Sequence, residues 1–276
     1  FLHHHGGAAG ESWWHRWTGA IQRRPWTAFV LSLAVLLVMA VPLLSMRLGS
    51  ADAGADPPGS TTRTAYDLIA EGFGPGFTGP LLVAADLPDS PEDDAAALDA
   101  MTADLRATDH VAAVAPPLVN DAGDAAVVMV VPDGSPQDER TEALVHRLRD
   151  DVLPAATSGT GVTASVGGPT AVSIDLGDRL AERLPVFMAG VIGLSFLLLL
   201  VEFRSLFVPA KAALMNLLSI GAAYGAVVAV FQWGWFSGIL GTSTGPIESF
   251  APMMLFAVLF GLSMDYEVFL LSRVRE

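Results

Sequence analysis

At 276 residues, 52% of them hydrophobic and only 16% charged, with a mean hydropathy of +0.48, the chain is too apolar for an ordinary soluble domain of its size. It contains no cysteine, which excludes disulfides and thiolate metal sites. The net charge of −14 is concentrated: residues 50–184 hold 23 acidic and 7 basic side chains and the remainder 6 and 8, so an acidic block sits in a mildly basic frame and no basic face offers itself to nucleic acid. Fourteen arginines against one lysine, Lys211, with abundant Ala and Gly, is the usage expected of a high-GC genome.

Residues 1–25 read as a cytoplasmic juxtamembrane segment, in which residues 13–26 are either a basic amphipathic helix on the membrane surface or a plain linker. His3, His4 and His5 lie in a Gly-rich end and read as incidental. Residues 26–46 are uncharged and long enough for a transmembrane helix, which needs about 20 apolar residues. Arg23 and Arg24 before this run imitate a signal peptide, but the run exceeds a signal core and starts well inside the chain.

Residues 47–184 form the next unit. A Gly/Pro/Ser-rich linker at 53–61 leads to a short helix at 61–71, stopped by the glycines and proline of 72–76. Strands are predicted at 80–85, 111–115, 125–131 and 161–166, and helices at 90–107 and 135–152, each opening Ser-Pro. The order is βαββαβ, that of a ferredoxin-like split unit. Gly167, Gly168 and Pro169 break the chain before a helix at 170–184 that runs into the second span. The acidic surface reads as a solvated face, and His110 and His146 as lone histidines without metal-ligand company. No metal site, cofactor or nucleophile–base pair is read anywhere, so an enzyme is not expected.

Further transmembrane helices are predicted at 185–202, 208–231 and 250–272. If the spans alternate, Arg16, Arg23 and Arg24, then Arg204 and Lys211, then Arg273 and Arg275 fall on one side, which the positive-inside rule makes cytoplasmic. The acidic unit is then extracytoplasmic; Arg47 alone opposes this. Trp13, Trp14, Trp17, Trp26, Trp233 and Trp235 all flank predicted boundaries, as an aromatic belt would. In the third span Gly221 and Gly225 make a small-xxx-small stripe for helix packing, with Asn216, Ser219 and Tyr224 as polar points.

The fourth span carries Asp265, Tyr266 and Glu267. Even lenient scales put an Asp at mid-bilayer at about 2.5–3.5 kcal/mol, and residues retained at that cost usually serve ion or proton transfer. Gly261 lies one turn before Asp265 on the same face, where a neighbouring helix can come close. Arg273 is eight residues away, about 12 Å along the axis, too far to neutralise Asp265 directly. Asp265 and Tyr266 are therefore the candidate proton relay, with Glu267 and Ser263 as possible secondary members.

The run Gly261-Leu262-Ser263-Met264-Asp265-Tyr266-Glu267-Val268-Phe269-Leu270-Leu271-Ser272-Arg273-Val274-Arg275-Glu276 resembles the signature of the MmpL (mycobacterial membrane protein large) transporters of the RND superfamily. That resemblance implies an α-helical integral membrane protein with an α+β (ferredoxin-like βαββαβ) extracytoplasmic porter domain. It implies export of lipids or other amphiphiles across the cytoplasmic membrane, driven by the proton motive force, with Asp265 and Tyr266 facing an equivalent pair in the other half. Such proteins have two related halves of one span, a porter domain and five further spans. The chain corresponds to the opening of the second half, so the N-terminal half and the remaining transmembrane helices are implied partners, beside the amphiphilic substrate and protons; an oligomer is open. The alternative is a non-transporting membrane receptor or scaffold on the same fold.

Overall fold

The computed structural model describes residue 19 and residues 21–88, 91–240 and 244–275; of residues 91–93, 240 and 265–275 it describes the backbone alone. Helix α1 (Pro25–Ala40) opens on a proline, whose missing N–H costs nothing in the first turn, and tightens into a 3-10 turn over Val41–Ser45. After the short strand β1 (Leu48–Gly49) comes α2 (Thr61–Phe73). Ser60 caps α2 by accepting the Arg63 N–H at 3.2 Å, and Gly74, at φ 97°, ends it. Then follow β2 (Leu81–Asp86), α3 (Pro91–Ala107), β3 (Val111–Val114), β4 (Leu118–Val119), β5 (Ala125–Pro132), α4 (Glu139–Arg147), α5 (Leu153–Ala156) and β6 (Thr163–Gly167). The C-terminal part holds α6 (Pro169–Phe203), α7 (Phe207–Val227), α8 (Ser237–Leu240), β7 (Ile247–Glu248) and α9 (Ala251–Arg275).

The sheet runs β3-β5-β2-β6, antiparallel throughout, with β4 also paired to β5. Alternation decides its faces: Leu81, Val83 and Ala85 of β2 are buried while the residues between them are exposed. The buried face meets Leu98, Met101 and Leu105 of α3 and Leu144 and Val145 of α4. Each such aliphatic side chain contributes about 1.5–3 kcal/mol on full burial, so this core holds the α/β unit together. On the opposite face Leu82, Val127 and Met129 stay exposed.

Two sequence expectations need correction in this unit. The helix predicted at 135–152 begins at Glu139. Residues 135–138 form a turn, closed by Asp138 N–H on the Ser135 carbonyl at 3.1 Å, and Asp138 rather than Ser135 is the cap, accepting the Arg140 N–H at 3.2 Å. The helix also runs on beyond residue 152, through a π turn at Leu148–Val152 into α5, where Pro154 has no N–H to offer the preceding turn. Ser90, the predicted cap of α3, lies outside the described residues.

Among the described residues, three helical segments are long and apolar enough to cross a membrane: Pro25–Ser45, Pro169–Phe203 and Phe207–Gln232. The described apolar stretch of α9, Ala251–Met264, is shorter, although the helical backbone continues to Arg275. Helix α6 runs 35 residues unbroken, about 52 Å, so one rod leaves the α/β unit and enters the apolar layer, with Pro185 inside it. Arg149 fixes its first turns: Nη2 lies 2.9 Å from Asp175 Oδ2 and donates to the Val166 carbonyl at 3.0 Å. The parallel pair β1–β7, which no local sequence pattern marks, joins the exit of α1 to the entry of α9 across nearly 200 residues of chain.

Candidate functional site

Helix α9 is held where its sequence faces α7 and α6. Ile220 and Tyr224 of α7 form a buried cluster with Phe256 and Phe260 of α9, and Phe187, Met188, Val191 and Ile192 of α6 pack around it. The stacked Phe256 and Phe260 rings lie 5.2 Å apart and Phe187 meets Phe256 edge-on at 5.7 Å. Residues 256, 260 and 264 recur every four positions and so form one stripe of α9. The Tyr224 hydroxyl donates to the Pro252 carbonyl in the first turn of α9.

At the other end of this stripe Asn216, 7% exposed, donates its amide N–H to Met264 Sδ at 3.5 Å. Met264 immediately precedes Asp265 in the chain, so a buried carboxamide stands at the level where the acidic motif begins. In the sequence Asn216 is only a polar point on a packing helix. Its level relative to residue 265 depends on the register of α7 against α9, which no local pattern encodes.

Asp265, Tyr266 and Glu267 lie on the backbone of α9, and their side chains fall outside the described residues. Ser263 is half-buried on the same helix. Gly261 is exposed, and a Cβ built on it meets no described atom within 4 Å. Gly221 and Gly225 face α1: a Cβ on Gly221 would lie 3.7 Å from Ala40 Cβ, an ordinary contact, whereas one on Gly225 would lie 1.8 Å from the Met39 carbonyl oxygen.

A second site lies where the helices meet the α/β unit. Gln232 joins α1 to α7, donating to the Ser45 carbonyl at 2.6 Å and accepting the Arg47 N–H at 2.9 Å. Arg47 reaches into the α/β unit, with Nε 3.0 Å from Glu139 Oε1 and Nη2 3.6 Å from Glu142 Oε2. These acidic partners account for the one arginine that opposed the charge pattern. A cleft of about 420 Å³ opens here, lined by Arg47, Asp52, Gln137, Asp138, Glu142 and Asp178 among others. Burial pushes the Asp52 carboxyl up, against the Gly54 N–H and Arg63 that favour its charge; its Oδ2 is buried with no hydrogen-bond partner among the described residues. The Arg140 guanidinium holds the Asp138 carboxyl below the ordinary range.

His146 is not isolated: its Nε2 lies 3.6 Å from Asp178 Oδ2, and Glu142 stands one turn before it on α4. The Glu142–His146 spacing was a legible signal; Asp178, 32 residues further along, was not. His110 Nδ1 lies 3.2 Å from Asp133 Oδ2 at the exposed edge of the sheet.

Apolar helices long enough to span a bilayer, joined through one continuous rod to a compact α/β unit, define a multi-helix membrane protein. The MMPL family model matches residues 56–276, and the chain belongs to this family. Among curated relatives, it is 39% identical over 94% of its length to the membrane protein YdfJ of Bacillus subtilis. It is 36% identical over 98% of its length to the mycolic acid-containing lipids exporter MmpL11 of Mycolicibacterium smegmatis. It is 37% identical over 98% of its length to the heme uptake protein MmpL11 of Mycobacterium tuberculosis. The chain spans 35%, 28% and 28% of the length of these relatives respectively.

Proposed function

We propose that this chain is part of a transporter of the RND type that exports lipids or other amphiphiles across the cytoplasmic membrane at the expense of the proton gradient, and that Asp265 and Tyr266 carry the proton. The observation that carries the reading is the setting of α9. The helix bearing the acidic motif is packed against two other apolar helices through Phe256, Phe260 and Met264, and buried Asn216 sits beside the residue that precedes Asp265. A carboxyl group in such a setting is costly unless it is used. The open stripe at Gly261, one turn before position 265, supports the approach of a further helix carrying an equivalent Asp-Tyr pair.

The α/β unit is read as the porter domain. The βαββαβ element order and the strand order β3-β5-β2-β6, with β4 added, support reading it as ferredoxin-like. Its uncovered sheet face at Leu82, Val127 and Met129 supports packing against a second such unit, contributed by the other half of the protein. The direction of the helices supports an extracytoplasmic placement: the start of α1, the α6–α7 turn at Arg204 and the end of α9 all lie opposite the α/β unit, and these ends hold the basic clusters.

Lipid as cargo rests on the relative named as a lipid exporter; a relative named for heme uptake makes a large amphiphile the shared chemistry of the two names. The test is Asp265→Asn in the full-length protein, with lipid export and proton uptake measured in proteoliposomes under an imposed pH gradient. Loss of both activities in a variant that still folds and inserts is expected. Survival of export would take the proton-carrying role from Asp265, and absence of export in the parent, with a signalling function untouched by the change, would put the receptor or scaffold reading first.

A further inference from the structure

We infer that Glu142, His146 and Asp178 form a site for a divalent transition-metal ion of the Zn²⁺ class that ties α4 of the α/β unit to the membrane-entering helix α6. Glu142 and His146 are four residues apart on α4, so both project from one face. Asp178 meets them from α6, its Oδ2 3.6 Å from His146 Nε2. One ligand atom from each of the three residues lies within 4.8 Å of the other two. With metal–ligand bonds of about 2.0–2.2 Å, tetrahedral ligand atoms sit roughly 3.4 Å apart, so small side-chain rotations close the set.

The donor set selects the metal. One imidazole with two carboxylates suits Zn²⁺, whereas Ca²⁺ and Mg²⁺ favour all-oxygen shells and the softest ions favour sulfur. All three side chains are half-buried, so they are positioned by the fold and still reachable from solvent. Glu142 and Asp178 also line the 420 Å³ cleft, which leaves room for water at the remaining coordination position. Arg47 Nη2, 3.6 Å from Glu142 Oε2, is the resident cation with which the metal competes. Because α6 continues unbroken into its apolar stretch, an ion joining it to α4 would lock the α/β unit against the span. This site stands independently of the proton relay.

The experiment uses the full-length protein in nanodiscs with His3, His4 and His5 replaced by alanine, which removes competing imidazoles. After chelator treatment it is titrated with ZnCl₂ by calorimetry, with hydrogen exchange of α4 followed in parallel. One saturable equivalent is expected, with slower exchange in α4 when it is bound. Affinity is expected to fall at least about tenfold in both His146→Ala and Asp178→Asn, as loss of a ligand should cost no less than loss of an outer-shell partner, while Asp121→Asn on a remote turn changes nothing. No saturable binding, or equal affinity in the parent and the two site variants, overturns the site. If one site variant fails to fold, the other decides.

Discussion

Gly225 of α7 lies so close to Met39 of α1 that a Cβ on the glycine would stand 1.8 Å from the Met39 carbonyl oxygen. No side-chain rotation relieves a clash with backbone, so Gly225→Ala must push the two helices apart. The expected loss is about 1–3 kcal/mol, the usual cost of forcing extra volume into a packed interface. Gly221→Ala, one turn away, meets only an ordinary contact with Ala40, and the Cβ of Gly261→Ala meets no described atom within 4 Å. Thermal unfolding of the three variants in detergent should therefore rank Gly225→Ala well below the other two, which should lie near the parent.

Gln232 serves both ends of one connection, so its replacement leaves two backbone groups without their partner. Gln232→Leu keeps the approximate volume while stranding the Arg47 N–H and the Ser45 carbonyl. The site is half-buried, so water recovers part of the loss, and about 1–2 kcal/mol of destabilisation is expected. Gln232→Glu, which still accepts but no longer donates, should fall between the parent and the leucine variant in the same melts.

Asp52 makes the opposite kind of prediction. Its folded-state carboxyl is pushed up by burial, so folding favours the protonated form and stability falls as pH rises from the ordinary Asp value near 3.8 through the higher folded value. Asp52→Asn keeps the side-chain oxygen that accepts the Gly54 N–H at 2.8 Å and discards the desolvated charge, although it forgoes the attraction of Arg63. The variant should be as stable as the parent or more so at pH 7, and the fall in stability across that window should flatten. Denaturation followed between pH 3.5 and 7 checks both statements. Marked destabilisation at pH 7 would show that the charge on Asp52 is needed.

Asn216 is expected to matter for transport beyond its share of packing. Asn216→Leu removes the buried amide beside Met264 and replaces it with an apolar side chain of similar size. If the motif on α9 works as proposed, proton-coupled export should drop at least about tenfold while the amount of inserted, folded protein is kept, and Asn216→Gln should recover part of it. An equal loss of folded protein and of export would reduce Asn216 to a packing residue.

The sequence by itself determined the local elements and the class of protein. Apolar runs of about spanning length, the first of them without a charge, read as helices, because backbone in a bilayer must satisfy itself within a helix. A short continuous apolar run closed by Pro132, Asp133 and Gly134 placed β5 to within a residue of its observed end. Capping was less legible. Ser135 and Asp138 both suit an N-cap, and only the folded turn chose Asp138.

What tertiary structure alone decided are the meetings between distant segments. Leu48 pairs with Ile247, Arg47 reaches Glu139, and His146 comes beside Asp178. Asn216 likewise comes level with Met264 through the register of two packed helices. Periodicity, caps and composition act over a turn or two of chain, so they report which face of an element is apolar but not what covers it. The partner and its register are set by how close two backbones can come, and Gly225 against the Met39 carbonyl is where that distance is set for α1 and α7.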